Sequence, residues 1–521
     1  LDKLKNLGGP KRKLINKLLE RKELEFTDSG PVYFNNQDLN ESQKRAVNNA
    51  MKTDNLYLIH GPPGTGKTVT CIEIIEQAIE KDKNILACAD SNTAVDNLVE
   101  FLVSKGREVV RVGHPARVTP LLREHTLDYI VEDNDAFQKA QELREKAYDL
   151  KEEQDNYTYP SGRWRRGLSN EAIKSLAKKG KGSRGIPPNK MKEMAKSLKI
   201  QEEIDELFEK VNYLEDKAVD EVLDEADVIC TTNSSSASEV MSDREFDLCV
   251  IDEATQATEP SCLVPAVKAK KLVMAGDHKQ LPPTILNEEA KDKGLSDTLF
   301  ERMVGLYGDR IKTLLRVQYR MNEKIMRFPD DEFYEGKVKA DKSVREHDLW
   351  DIIEKESEGK FTEVLDPDKP IVFIDTRGQF KESTKEGSTS KENEGEAVIA
   401  SHIAKELIDM GVKGKDIGLI TPYDDQKALI KNKLDKKNIE IDTVDGFQGR
   451  EKEVIILSFT RSNDEGNIGF LKDLRRLNVS ITRAKRKLII IGDSKTISVN
   501  DTYNRLINYV QDKGDIVTVN T

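Results

Sequence analysis

The run Gly61-Pro62-Pro63-Gly64-Thr65-Gly66-Lys67-Thr68 has the GxxxxGK[ST] spacing of a phosphate-binding loop, set between an apolar run, Leu56–His60, and a helix-forming stretch. Glycines let backbone N–H groups and a helix N-terminus surround phosphates; Lys67 neutralises the β/γ oxygens, and Thr68 offers a hydroxyl to magnesium. The expected ligand is a nucleoside triphosphate with Mg2+. Asp252-Glu253 follows the apolar run 248–251, which places adjacent carboxylates where a parallel strand ends. Asp252 is suited to hold the metal and Glu253 to polarise an attacking water. Gly276-Asp277-His278-Lys279-Gln280-Leu281-Pro282-Pro283 ends another such run. Gln280 can hydrogen-bond both the γ-phosphate and the water, whereas His278 and Lys279 read as loop structure. Gln318-Tyr319-Arg320-Met321 and the stretch 475–484, with Arg475, Arg476 and Arg483, put arginines in the second half of the chain. Charge developing on a γ-phosphoryl group calls for such arginines, each contributing roughly 10³ to 10⁵ in rate.

The elements that must carry these residues alternate between short aliphatic runs and helix-like stretches, the pattern of parallel α/β folds. Leu56–His60, Ile85–Ala89 and Val109–Val112 begin the series, which stops near Leu127 and resumes at 227–230, 248–251 and 272–275. About 100 residues are therefore inserted in a first α/β domain. Inside the insert, Ala136, Ala140, Leu143, Ala147 and Leu150, then Ile200, Ile204, Leu207, Val211, Leu214 and Ala218, recur at spacings that predict an antiparallel helical hairpin. A second α/β domain is signalled by 371–374, 417–420, 454–457 and 488–491, interrupted by a Ser/Thr/Lys/Glu/Gly tract, 381–395, that reads as a mobile loop. The predicted fold is two tandem RecA-like parallel sheets of the P-loop NTPase kind. The predicted boundaries are an N-terminal helical stalk or linker at 1–38, with its amphipathic stretch at 14–19; a first domain at 39–125 and 225–325; the hairpin at 126–224; and a second domain at 326–521.

Net charge is −11 over 521 residues, which by itself opposes a nucleic-acid partner. Its distribution reverses that. Between residues 161 and 200 there are twelve basic side chains and two acidic ones, a local +10 that leaves −21 for everything else. This segment, broken by Gly180, Gly182, Gly185 and Pro187-Pro188, would sit between the hairpin helices as a strand-binding tip or a solvated charged loop. Cys71, Cys88, Cys230, Cys249 and Cys262 stand singly, and no two of the six His have ligand spacing. Reduced core thiols of a cytoplasmic protein are expected, with no disulfide and no structural zinc. No apolar run approaches the roughly 18 residues of a membrane span, and the Lys-rich opening lacks a signal segment. The first residue is Leu, so a trimmed N-terminus is expected.

HGPPGTGKT, SNTAVDNL, GHPAR, AGDHKQLPP, QYRM, ITPYDDQ, TVDGFQGREKEVIILSF and NVSITRAK occur in that order across 39–492. The chain thereby resembles superfamily 1B helicases of the up-frameshift type, and within them the immunoglobulin-μ-binding-protein-2 (Smubp-2) branch. The resemblance implies an ATP-dependent motor that moves 5′ to 3′ along single-stranded DNA or RNA, and a monomeric motor is expected. It implies that Gln43 reads the adenine edge, Tyr319 stacks on the base, Glu451 reaches the ribose, and Arg320 and Arg483 are the γ-phosphate arginines. For the strand it points to Ser91, Asn92, Val95, Thr231, Thr232, Asn233, Pro422, Thr443, Asn478 and Thr482, mostly small polar groups suited to phosphate and sugar. Helix capping is the competing role for the Ser and Thr positions. About 38 residues precede the Gln43 region, so the β-barrel that the resemblance would place ahead of the motor is expected to be absent or cut away, and the up-frameshift zinc domain and the basic Smubp-2 appendages are not expected within 1–521.

A different reading is an ATP-gated clamp or ribonucleoprotein remodeller, because motor motifs specify hydrolysis while strand separation also needs a wedge. A helicase-nuclease is disfavoured by the lack of a Cys cluster or second carboxylate site. A GTPase or kinase would leave Gln43 and the two arginines unexplained.

Overall fold

The computed structural model describes residues 8–20, 30, 32–434 and 438–519. The rest of the expected N-terminal stalk lies outside the described residues. The chain forms two compact units, Leu1–Asp90 with Glu245–Thr521, and Ser91–Arg244.

The larger unit holds two parallel sheets. In the first, the strands Ile85–Ala89, Phe246–Ile251, Ala269–Gly276, Leu56–His60 and Lys312–Leu314 lie side by side in that order. Leu58 pairs with Met274 on one side and Lys312 on the other. Leu56–His60 and Ile85–Ala89 are buried along their whole length, which is why they read as unbroken apolar runs. The amphipathic helix Gly9–Leu19 buries Leu14, Ile15 and Leu18 in this unit. Asn40 starts the helix Glu41–Lys52 with a reciprocal capping box: its side chain accepts from the Gln43 N–H, and the Gln43 side chain accepts from the Asn40 N–H.

The second sheet runs Glu440–Thr443, Ile417–Thr421, Lys452–Ser458, Ala484–Gly492, Ile371–Asp375 and Asp515–Thr518. Its two faces separate with period two. Ile371, Phe373, Ile455, Leu457, Leu488 and Ile490 join one core, and Val372, Ile374, Val454, Ile456, Ile489 and Ile491 the other. Both faces are thus apolar and helix-covered, each buried side chain contributing about 1.5–3 kcal/mol. The tract 381–395, read from sequence as mobile, is pinned instead. Ser383 and Glu392 exchange backbone hydrogen bonds of 2.7 and 3.0 Å, and Ser388 Oγ donates to Asp425 at 2.6 Å. Asp425 lies 37 residues along the chain from Ser388, so composition alone could not reveal it.

In the smaller unit, Val109–Val112 and Val228–Thr232 pair in parallel. The helices Asp135–Gln154 and Pro188–Glu225 run antiparallel: Asn134 bonds Glu221 at one end, and Gln154 bonds the Ser197 carbonyl at the other. Ala140, Ala147, Val211 and Ala218 are fully buried. The basic segment is not the bare loop that was one of its two readings. It folds into helices Gly162–Arg165 and Asn170–Lys178 over a small core of Leu168, Ile173, Ile186, Met191, Met194 and Leu198. Arg166 and Arg184 clamp it, each guanidinium donating to the other's carbonyl at 2.7 and 2.6 Å.

Candidate nucleotide site

The phosphate-binding loop needs its glycines because neighbours crowd it. Gly64 and Gly66 have φ of 74° and 76°, and a Cβ would come within 2.6 Å of Arg320 Cβ at the first and of Gln43 Nε2 at the second. At Gly61 a Cβ would meet the Lys67 side chain at 2.0 Å. Gly66 precedes the helix Lys67–Ile79, whose first N–H groups face the loop. Lys67 Nζ donates to the Gly61 carbonyl at 3.2 Å and lies 3.4 Å from Glu253.

Thr68 Oγ1 donates to Asp252 Oδ2 at 2.7 Å, bringing two hard oxygens together from separate elements. Asp252 is 2% exposed. Burial, reinforced by Glu253 and opposed by Lys67, pushes its pKa up to about 6. Glu253 takes the left-handed conformation, φ 50° and ψ 37°, which costs a non-glycine residue roughly 1–3 kcal/mol and clusters at working sites.

Gln280 stands between the two sheets. Its Nε2 donates to Asp277 Oδ2 at 2.8 Å, and its Oε1 accepts from Arg483 Nη2 at 3.2 Å. Asp277 also bonds His60 at 3.1 Å and the Tyr334 hydroxyl at 2.7 Å. Burial alone would raise the Asp277 pKa, but these bonds, with His60 and Lys67 nearby, hold it well below the usual carboxylate range. Asn478 closes the network by donating to the Lys279 carbonyl and to Tyr334, each at 2.8 Å. His60, Asp277 and Tyr334 were not singled out from sequence as site residues. Asp277 had a signal, at a strand end beside Gln280, but a lone Tyr334 had none.

Arg483 is 2% exposed and, among the described residues, bonds neutral groups: the Val479 and Arg450 carbonyls, Gln280 and Thr482. Among the described residues no carboxylate reaches salt-bridge distance of it. Burial and the neighbouring Arg320 push its pKa down from the ordinary arginine value, with Glu253 and Glu451 acting against them from beyond contact distance. Arg320 donates to the Thr482 carbonyl at 3.0 Å and pairs with Glu451, which also pairs with Lys485 at 3.1 Å. Burial would raise the Glu451 pKa, yet these two cations keep it below its ordinary value.

The Tyr319 backbone N–H donates to the Gly64 carbonyl at 2.8 Å, and its ring is 40% exposed beside the loop. Gln43 is buried with both ends of its amide engaged, Oε1 by the Asn40 N–H and Nε2 by the Thr65 carbonyl at 3.1 Å. Meeting a base with both atoms requires releasing both bonds.

The residues expected on a strand divide between the units. In the smaller, Ser91 caps the helix Asn92–Ser104 through the Ala94 N–H, Asn92 accepts from Arg111, Val95 is buried, and Thr231 donates to the Val112 carbonyl. Thr232 Oγ1 accepts from the Ser235 N–H at 3.2 Å, and Asn233 follows it, buried. In the larger, Pro422 follows the strand Ile417–Thr421, Thr443 Oγ1 accepts from the Gly446 N–H, and Thr482 Oγ1 donates to the Asn478 carbonyl. Ser91 and Thr482 thus make the local helix bonds that competed with a strand role.

Two parallel α/β sheets, a phosphate-binding loop on the first and a buried arginine, Arg483, beside the second define a P-loop nucleoside triphosphatase motor. The AAA domain family matches residues 38–288, and a second AAA domain family matches 295–495. The chain is 44% identical over 498 residues to the uncharacterized ATP-dependent helicase MJ0104 of Methanocaldococcus jannaschii, covering 95% of this chain and 73% of that protein. It is 36% identical to the DNA-binding protein SMUBP-2 of Rattus norvegicus, covering 98% of this chain and 48% of that one. The ATP-dependent helicase NAM7 of Saccharomyces cerevisiae is 36% identical over 92% of this chain and 44% of its own length. The chain belongs to the superfamily 1B helicases of the up-frameshift type, a family of ATP-dependent helicases. It spans about half the length of the last two relatives. Among the described residues no helix is long and apolar enough to cross a membrane.

Proposed function

We propose that this chain is the motor of a helicase that hydrolyses ATP between its two sheets and steps 5′ to 3′ along single-stranded DNA or RNA. The single observation that carries the reading is Arg483, a buried guanidinium held by neutral acceptors and bonded to Gln280. A desolvated guanidinium with no carboxylate in contact is poised for negative charge, and the charge that develops on the γ-phosphoryl group beside Gln280 in the transition state supplies it. Lys67 and the loop amides hold the β/γ-phosphates, Glu253 takes a proton from water, Gln280 orients that water, and Arg320 and Arg483 meet the charge that develops. Thr68 and Asp252, whose oxygens already converge, fit Mg2+, which when bound neutralises phosphate charge. Gln43, Tyr319 and Glu451 receive the adenosine once the Gln43 amide turns out of its present bonds. Departure of the phosphate removes the charge that drew Arg320 and Arg483 toward the first sheet in the transition state, so hydrolysis loosens the pair and becomes a step.

The division into 39–125 with 225–325, an inserted 126–224 and 326–521 follows the same reading. Ser91, Asn92, Val95, Thr231, Thr232, Asn233, Pro422, Thr443, Asn478 and Thr482 hold the strand by its backbone, so binding is blind to base sequence. The basic tip adds phosphate contacts. The motor works as a monomer without structural zinc, and its five buried free cysteines suit the reducing cytoplasm.

Matched DNA and RNA oligonucleotides, compared as stimulators of ATP turnover, identify the strand. Displacement of a tailed duplex at substoichiometric protein supports the helicase reading. Stimulated turnover with no displacement on either tail polarity would favour the ATP-gated clamp.

A further inference from the structure

A cavity of 510 Å³ opens in the larger unit on the side of His60 and His278, among Arg45, Lys279, Lys312, Arg316 and Lys337. Its carboxylates are Asp309 and Glu335, and each is already paired, Asp309 with Lys312 at 3.1 Å and Glu335 with Lys337. Arg45, Lys279 and Arg316 form no ion pair among the described residues. The cavity therefore presents three uncompensated cations to one space.

His60, Asp277 and His278 offer ligand atoms within 4.8 Å of one another, so a metal ion is the competing occupant. The Asp277 oxygens argue against it, because they already accept from His60, Gln280, Tyr334 and the Lys279 N–H. The surrounding cations add repulsion. An anion suits both facts.

We propose that this cavity is a second phosphate site, separate from the phosphate-binding loop, that takes inorganic phosphate or a backbone phosphate of nucleic acid. Its wall adjoins the first site covalently: His60 precedes Gly61, and Lys279 precedes Gln280. An occupant held by Lys279 therefore bears on the loop that carries Gln280. His278, its pKa lowered to about 3 chiefly by burial and next by His60, enters as a neutral hydrogen-bonding ring, leaving the charge to the three cations.

The test rests on nucleotide binding only as a control, which is read separately. The full chain is first titrated with a non-hydrolysable ATP analogue and Mg2+ to saturation, which fills the phosphate-binding loop and the γ-phosphate position, and then with inorganic phosphate by calorimetry. Phosphate should bind the saturated protein, and the double variant Arg45→Gln/Arg316→Gln should bind it about tenfold more weakly, in line with two partly exposed charge contacts. Analogue affinity and basal turnover of that variant should match wild type, which reports an intact fold. If a backbone phosphate is the occupant instead, free phosphate does not bind, and the variant's salt slope for a single-stranded oligonucleotide shrinks by about 0.7 per lost contact. Phosphate affinity and salt slope both equal in wild type and variant would overturn the proposal.

Discussion

Arg483 and Gln280 belong to different sheets, yet Nη2 of the first donates to Oε1 of the second at 3.2 Å. The bond puts the residue that would orient water and the residue that would meet transition-state charge in one buried chain, continued by Asp277, Tyr334 and Asn478. On the proposed mechanism a displacement of one member is passed to the others, which would couple hydrolysis to the relative position of the sheets.

Chemistry should divide cleanly between two residues 3.4 Å apart. Glu253→Gln keeps its shape and should still bind ATP while turnover falls by roughly two to four orders of magnitude, the usual range for removing a general base. Lys67→Ala should lose both binding and turnover. Fluorescent-nucleotide titration with single-turnover assays checks the pair, and near-wild-type turnover in Glu253→Gln would exclude the assignment.

Glu396 predicts a pH effect on stability. It is fully buried, accepts from Ser458 Oγ at 2.6 Å and the Thr460 N–H at 2.8 Å, and burial pushes its pKa up to about 8 from an ordinary 4.5. Between those values the folded chain holds a proton that the unfolded chain has lost. This contribution is complete below pH 4.5 and declines toward pH 8, by at most about 1.4 kcal/mol per unit. Glu396→Gln should flatten the decline. Urea midpoints for both proteins at three pH values test it, and parallel trends would contradict it.

The basic tip should act through phosphates. Replacing Arg163, Arg165, Arg166, Lys178, Lys179 and Lys181 with Gln should weaken strand binding at low salt and reduce the salt slope by about 0.7 per lost contact. Basal turnover should hold, and the loss should be the same for all base sequences. Because Arg166 clamps Arg184, a second variant limited to the exposed Lys178, Lys179 and Lys181 keeps the fold intact. An unchanged slope in both would make the tip a docking surface for a protein.

Much of this was legible in the sequence because it is local. The phosphate-binding loop, Asp252-Glu253 and Gln280 each sit at the end of an apolar strand, so period and position announce them. The hairpin likewise followed from Ala140, Ala147, Val211 and Ala218. What stayed hidden depends on distant partners. Ser388 looks like a linker residue until Asp425, 37 residues on, is seen to bind it. Leu168, Ile173, Ile186 and Met194 are too widely spaced among charges to announce a core. Gln43 carried a family role in binding a base, yet its amide is spent on Asn40 and Thr65. Tyr334 joins the network only because folding brings it to Asp277, 57 residues away.

The central claim is that Arg483 waits for a transition-state charge, and separating ATP affinity from turnover in Arg483→Ala tests it most directly. Arg483→Ala should have an ATP dissociation constant within about threefold of wild type and a kcat lowered by roughly a thousandfold or more. Equal losses in affinity and turnover would show instead an ordinary ground-state contact, and the coupling drawn from its bond to Gln280 would fall with it.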